Sequence, residues 1–352
     1  MTSSARDATR RPRARIAALG GGTGLPVVLR GLRSALFPDG VEDHDRLVGI
    51  VTVTDEGGSS GRLRDEFGML APGDLRNCLV ALSHNEPLMA RLFQARYRDG
   101  ETLSGHSVGN LILAALAQEE HGNFLSAVRL ASEVLNIQGR VLPATLTPTR
   151  LVAHLADGRE VIGEIAIAAA CGRVERLSLE PAAPPAAPGV VDSIARADVV
   201  VIGPGSLYSS ILPNLLLPEI ADALRATEAF RILVVNAMTE LGETTGFTAG
   251  DHARIIREHL GGAGLDAALV ATDELPPETI ARYRAEGAAR VAPDDPELSR
   301  LVSRVVHARM LEAAPVVRHD PLKTAWAVLS AYDHWRRTNP ARVSRRGAGE
   351  AK

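Results

Sequence analysis

The sequence predicts a doubly wound α/β fold with a mainly parallel sheet, and three observations carry that prediction. Short aliphatic, often β-branched runs recur along the chain. Segments with helical periodicity separate them, and glycine-rich turns follow several of them directly. Strands divided by helices require right-handed crossovers, hence a three-layer arrangement with helices on both faces of the sheet. Composition agrees. Of 352 residues, 45% are hydrophobic and 3% aromatic, which is enough aliphatic surface for a core and too little aromatic surface for single-strand stacking platforms.

In chain order, residues 1–14 are polar and basic without periodicity and read as a tail. The run at 15–19 (RIAAL) is a first strand, and 20–24 (GGGTG) turns it into a helix over 25–36. The run at 47–53 (LVGIVTV) is almost wholly apolar, as a strand buried on both faces should be. Further strands are expected at 198–202, 232–235 and 267–271, with helices over 107–118, 125–135, 218–226 and 249–259. The rhythm breaks at 140–180. There RVLPATL, RLVAHLA, EVIGEIAI and RVERLSL succeed one another with Asp157-Gly158 as a hairpin signal and no helix between them. With the Pro/Ala linker 181–189 they predict a β-rich insertion over 140–188, leaving 15–139 and 189–335 as the core. Residues 336–352, basic and rich in small residues, read as a second tail.

A net charge of −3 gives no global attraction to nucleic acid or an acidic membrane. No apolar run reaches the 18 or so residues of a membrane span. Two cysteines, Cys78 and Cys171, offer neither a disulfide framework nor CxxC spacing, which predicts a reducing, cytoplasmic setting.

Small polar residues and glycines gather where strands should end, the place where open parallel sheets bind ligands. Gly21, Gly22, Thr23 and Gly24 lead into a helix N-terminus, where bare amides favour an anion. The turn is neither GxGxxG nor Walker A, since no third glycine is in place and no Gly-Lys-Ser/Thr follows. After the second strand, Asp55 precedes Gly57, Gly58, Ser59, Ser60 and Arg62: a carboxylate for Mg²⁺ or ribose hydroxyls, then donors and a guanidinium for phosphate. Asp74, Arg76 and Asn77 follow a Pro-Gly turn. His106, Gly109 and Asn110 open another helix, where a neutral imidazole is favoured. Gly203, Pro204, Gly205, Ser206 and Tyr208 form a fourth cradle, lacking the GxSxG of a hydrolase, and Asn236 stands at the neighbouring strand tip. Together they predict a nucleotide or nucleotide-sugar diphosphate gripped by amides and arginine forks at one sheet rim.

The segments GGGTGL (20–25), DEGGSSGRLRDEFG (55–68), PGDLRNCLVAL (72–82), SGHSVGNL (104–111), GRVLPAT (139–145), GPGSLYSSILPNLL (203–216), GETTGFTAGDH (242–252) and RHD (318–320) come in an order that resembles the YvcK-like gluconeogenesis factor family, within the CofD-like 2-phospho-L-lactate transferase superfamily. The resemblance covers residues 15–335. It implies a Rossmann-like core and a cytoplasmic regulator of cell shape and peptidoglycan synthesis under gluconeogenic growth, one that binds UDP-N-acetylglucosamine or a similar UDP-sugar. Arg318 of the late RHD joins the expected contacts. Cell-wall synthesis proteins and a second copy of the chain are the protein partners to consider. This chain departs from the family pattern at Glu56, where the family has a second Asp, and at Thr245, where it has a carboxylate. Gly205-Ser206 stands where the transferase branch reads Ser-Asn, which favours the regulator branch. The alternative is an Mg²⁺-dependent 2-phospho-L-lactate transferase-like enzyme of deazaflavin cofactor biosynthesis, with Asp55 on the metal. A nicotinamide-dependent dehydrogenase lacks its fingerprint here.

Overall fold

In a computed structural model, which describes residues 14–40, 43–100, 102–312 and 316–343, the chain opens with β1 (Ile16–Gly20), α1 (Gly24–Leu36) and β2 (Leu47–Val51). Five helices follow: α2 (Gly58–Phe67), α3 (Gly73–Leu82), α4 (Glu86–Gln94), α5 (Val108–Glu119) and α6 (Phe124–Val134). Next come β3 (Arg140–Pro143), β4 (Arg150–Leu155), β5 (Glu160–Ile162), α7 (Glu164–Ala170) and β6 (Val174–Glu180). The chain continues through α8 (Val190–Arg196), β7 (Val199–Ile202), α9 (Leu212–Leu215), α10 (Pro218–Ala226), β8 (Phe230–Val234), α11 (Ala249–His259) and β9 (Ala267–Ala271). It closes with α12 (Pro277–Ala285), α13 (Asp295–Leu301), β10 (Val305–Ala308), β11 (Leu311–Glu312), β12 (Arg318–His319) and α14 (Pro321–Thr338).

Seven strands form one parallel sheet in the order β10-β9-β8-β7-β1-β2-β3. Every residue of β1, β2 and β7 is buried, which is why those runs show no polar alternation. Side chains of one strand still divide between the faces. Ile16 and Ala18 pack with α1, α3, α5, α6 and α14, whereas Ala17 and Leu19 pack with α8 to α11. Leu29, at 0% exposure, holds α1 to the first face, and its truncation to Ala should cost about 2–5 kcal/mol. Gly31 lets α1 meet α14 closely, since a methyl there would lie 1.8 Å from the Pro321 carbonyl oxygen. Because β1 connects onward to β2 but also borders β7, the strand order reverses beside β1, and a crevice opens at its carboxyl end.

The insertion forms a separate antiparallel sheet, β5-β4-β6, turned at Asp157-Gly158 with Gly158 at φ +86°. Two expectations for this region need correction. Residues Arg140–Pro143 do not leave the core: Val48 pairs with Arg140, so β3 is an edge strand of the main sheet and the departure begins after it. The EVIGEIAI stretch is not one strand. It breaks at Gly163 (φ +99°), and Glu164–Ala170 becomes a helix because alanine and glutamate favour one where no ladder partner holds the chain extended.

The expected N-terminal tail at 1–13 lies outside the described residues. At the other end, residues 336–343 are not a solvated tail. Helix α14 runs to Thr338, and Arg342 then bonds Asp266 and Glu228 (Nε–Oε2 3.1 Å) while its guanidinium lies 5.1 Å from the Trp335 ring centre. Composition hid this because a docked arginine and a solvated one look alike in sequence. Among the described residues no helix is long and apolar enough to cross a membrane.

Candidate functional site

At the carboxyl ends of β1, β7 and β8 lies a cavity of about 490 Å³. Its floor is the turn from β1 into α1. Gly22 adopts φ +57°, and the N-cap Thr23 gives no side-chain cap; Leu25 N turns to Gly21 O (3.4 Å) and Pro26 has no N–H, so the amides of Thr23 and Gly24 are the ones left for a ligand. The adjoining wall follows β7, with Gly203 at φ +71° and Gly205 at φ +150°. The two turns touch: a methyl on Gly24 would lie 2.2 Å from the Pro204 carbonyl oxygen. Asn236, at the tip of β8, braces the second turn by accepting from Gly205 N (3.0 Å) and donating to Gly205 O (2.7 Å). Ser206 caps a π-helical turn, Leu207–Ile211, that adds Ser209 and Ser210 to the wall.

The lining is also acidic. Glu240 and Glu243 come from the loop after β8, and Glu164 reaches in from α7 of the insertion. Burial, then the neighbouring Glu243, pushes Glu240 up to about 7. Burial, then Asp55, does the same for Glu164. Glu243 is also raised by burial and accepts from the Ser206 hydroxyl. Arg318 and His319 enter from the β11–β12 ribbon, and burial lowers His319 to about 4, leaving it neutral near pH 7. The lining thus combines amide donors at the helix N-terminus with buried carboxylates, one of which, Glu243, is bonded to Ser206 of the second turn.

Of the sequence-predicted residues, Gly22, Thr23, Gly24, Pro204, Gly205, Ser206, Asn236 and Arg318 line this cavity. Gly21 lies behind the floor, where a methyl would meet Thr52 at 2.5 Å and Asp74 at 2.7 Å. Tyr208 points away, into a different cavity across the π-helical turn.

Apart from Gly203 in the turn after β7 and exposed Arg62, the remaining predicted residues build a neighbouring polar network over the β2 end of the sheet. Asp55 accepts from Gly57 N (2.8 Å), and Asp74, in the first turn of α3, accepts from Gly22 N (2.6 Å), tying network to cavity floor. Gly58 opens α2, whose buried Ser59 and Ser60 both accept from Asn110 Nδ2 (3.0 and 3.4 Å). His106 Nδ1 lies 3.0 Å from Ser59 Oγ, and burial lowers its pKa. Arg76 donates to Ser107, to Asn110 Oδ1 (2.9 Å) and to Asn77 Oδ1 (2.8 Å). Gly109 admits this packing, since a methyl there would sit 2.7 Å from Arg76 Cδ.

The arginine forks are thus not where the sequence reading expected them. Arg76 is consumed inside the network, and exposed Arg62 donates to Ser104 O (2.6 Å). Among the described residues Arg318 is the one arginine on the cavity wall. Sequence reasoning also missed Glu164, hidden in the segment read as strand. It missed Tyr283 of α12 too, which accepts from Val317 N (2.9 Å) and lines the cavity without any surrounding motif to mark it.

Comparison with known proteins gives a consistent picture. The family model described as 2-phospho-L-lactate transferase CofD matches residues 16–311. A protein of Bacillus subtilis named gluconeogenesis factor is 43% identical over 88% of this chain and 96% of its own length. One of Halalkalibacterium halodurans with the same name is 42% identical over 89% and 95%. A crystal structure of a Bacillus halodurans protein superposes with a TM-score of 0.85 at 40% identity, covering 90% of this chain and all of that one.

Proposed function

The chain belongs to the 2-phospho-L-lactate transferase CofD family, and on that premise we propose that it is a cytoplasmic nucleotide-sugar-binding regulator of the gluconeogenesis-factor type. Its ligand is a UDP-sugar such as UDP-N-acetylglucosamine, and its output bears on cell shape and peptidoglycan synthesis through cell-wall synthesis proteins. The observation that carries the reading is the polarity of the cavity. The uncapped amides of Thr23 and Gly24, with Arg318, suit a diphosphate. Glu240 and Glu243 suit the hydroxyls of a ribose or sugar. Calorimetry with UDP-N-acetylglucosamine tests it. Binding is expected, weakened about tenfold or more by Arg318→Ala, and no detectable binding at millimolar ligand would remove the reading.

The residues also fit a divalent cation on stated terms. Asp55 lies close enough to help raise Asp74, which burial pushes up to about 7, and a cation held by both would relieve that repulsion. Among the described residues no group of three His, Cys, Asp or Glu forms a metal cage. Asp55 and Asp74 would therefore share the ion with ligand phosphates, as Mg²⁺ commonly is. Bound there, it would neutralise diphosphate charge.

That carboxylate pair beside the cradle also supports a second reading, the Mg²⁺-dependent phospholactyl transfer for which the family is named. Incubation with a nucleotide-activated phospholactate, Mg²⁺ and a deazaflavin acceptor decides between them, and product formation would reverse the order.

A further inference from the structure

The cavity is lined by two unlike groups of residues, and the sheet order sets them apart. Ala237 and Met238 follow β8 and Tyr283 follows β9; with Val317 they form one apolar cluster on the lining. Glu164 instead hangs on the loop after β2, where it accepts from Glu56 N at 3.4 Å. Strands β7 and β1 run between β8 and β2, and the uncapped amides of Thr23 and Gly24 follow β1. A ligand with its diphosphate on those amides therefore has an apolar, aromatic flank towards β8 and a carboxylate towards β2. A planar base suits the first, and the hydroxyls of a sugar, which donate to a carboxylate, suit the second.

The insertion holds that carboxylate in place through contacts of its own. Ile167, at 3% exposure, seats α7 in the core of the second sheet face. Gly163, the N-cap of α7, leaves room for the Glu56 carboxylate, since a methyl there would lie 2.2 Å from Oε2. Oε1 of Glu56 faces Arg64 Nη1 of α2 at 3.2 Å and Arg150 Nε of β4 at 3.9 Å. One side chain thus ties α2, β4 and the start of α7 together, beside the amide that Glu164 accepts from. One turn along α7, a methyl on Gly242 would lie 2.4 Å from the Ala168 carbonyl oxygen. The loop bearing Glu240 and Glu243 therefore lies directly against the same helix.

We infer that Glu164 is a specificity-determining contact for the glycosyl group of a nucleotide-sugar, accepting from its hydroxyls, and that Glu56 is the positioning residue that holds it there. The inference rests on the nucleotide-sugar reading and adds an orientation to it, with the base towards Tyr283 and Met238 and the sugar towards α7.

Calorimetry of the full chain with UDP and with UDP-N-acetylglucosamine tests it. Glu164→Ala should weaken the nucleotide-sugar about tenfold or more and UDP less than about twofold. Glu56→Ala should reproduce that split, and Glu56→Gln, which keeps an acceptor for Arg64, should restore most of the lost affinity. Glu175→Ala, exposed on β6 of the same insertion, should change neither. Far-ultraviolet circular dichroism checks folding, and the Glu56 variants carry the comparison if Glu164→Ala unfolds. Equal weakening of both ligands, as a purely structural role or a cation on the diphosphate would give, overturns the inference and leaves the nucleotide-sugar reading standing. So does an affinity indifferent to both residues. A wild-type chain that binds neither ligand removes that reading, and the inference with it.

Discussion

Two stretches of one sheet rim, built from similar residues, do opposite things. Over β1, β7 and β8, glycines at positive φ bring backbone against backbone, leave amides uncapped and enclose an open cavity. Over the β2 end, hydroxyls, an amide, an imidazole and Arg76 bond to one another and close the space. The difference lies in where the hydrogen-bonding capacity is spent. The glycine turns spend the amides of Gly22 and Gly205 on Asp74 and Asn236 but leave those of Thr23 and Gly24 uncapped, whereas Ser59, Ser60, Asn110 and Arg76 find complementary partners at hydrogen-bond distance. Asp74 joins the two regions through Gly22 N.

The sharpest way to break this comparison is Gly24→Ala. Its methyl would meet the Pro204 carbonyl at 2.2 Å, so the two turns must separate. We expect a stability loss of about 3 kcal/mol in urea unfolding, together with loss of UDP-N-acetylglucosamine binding.

Next in size is a pH effect at the junction. Asp74, ordinarily near 3.8, titrates at about 7 in the folded chain because it is buried beside Asp55. Between these values the folded chain holds a proton that the unfolded chain has released. The contribution of Asp74 is therefore fully present below the unfolded value and is lost as pH rises towards 7. Asp74→Asn keeps an acceptor for Gly22 N but removes the titration. From pH 5 to pH 8 the wild-type chain should lose about 2–3 kcal/mol more than the variant, and equal losses would place Asp74 in a solvated setting.

Asn110→Ala separates the regions further. It removes one acceptor from Arg76 and the donor shared by Ser59 and Ser60, and should cost about 2 kcal/mol of stability while leaving nucleotide-sugar affinity unchanged in the folded fraction. Smallest of all, Arg62→Ala should change that affinity less than about twofold, as expected of an exposed contact, because its guanidinium is spent on Ser104 O away from the cavity.

Much of this was legible in sequence, for identifiable reasons. The wholly apolar runs at β1, β2 and β7 announced a doubly covered parallel sheet, and the four glycine or polar clusters do lie along one end of it. Individual fates were less legible. Nothing in DEGGSSGRLR tells that Arg62 reaches Ser104 O in the distant segment before α5 while Arg64 turns back on Glu56 of its own loop. Glu164 was lost when a short alternating run was read as strand, since its helix depends on the break at Gly163. Half-exposed β10 (VVHA) carried too few apolar residues to stand out.

The glycine turns over β1 and β7, rather than the arginine-bearing network beside them, are expected to grip the diphosphate. A crystallographic difference map of the chain with UDP-N-acetylglucosamine tests it most directly. Diphosphate density is expected over the amides of Thr23 and Gly24 with Arg318 in contact. Density seated instead against Arg62 and Arg76, with the glycine turns empty, would contradict it.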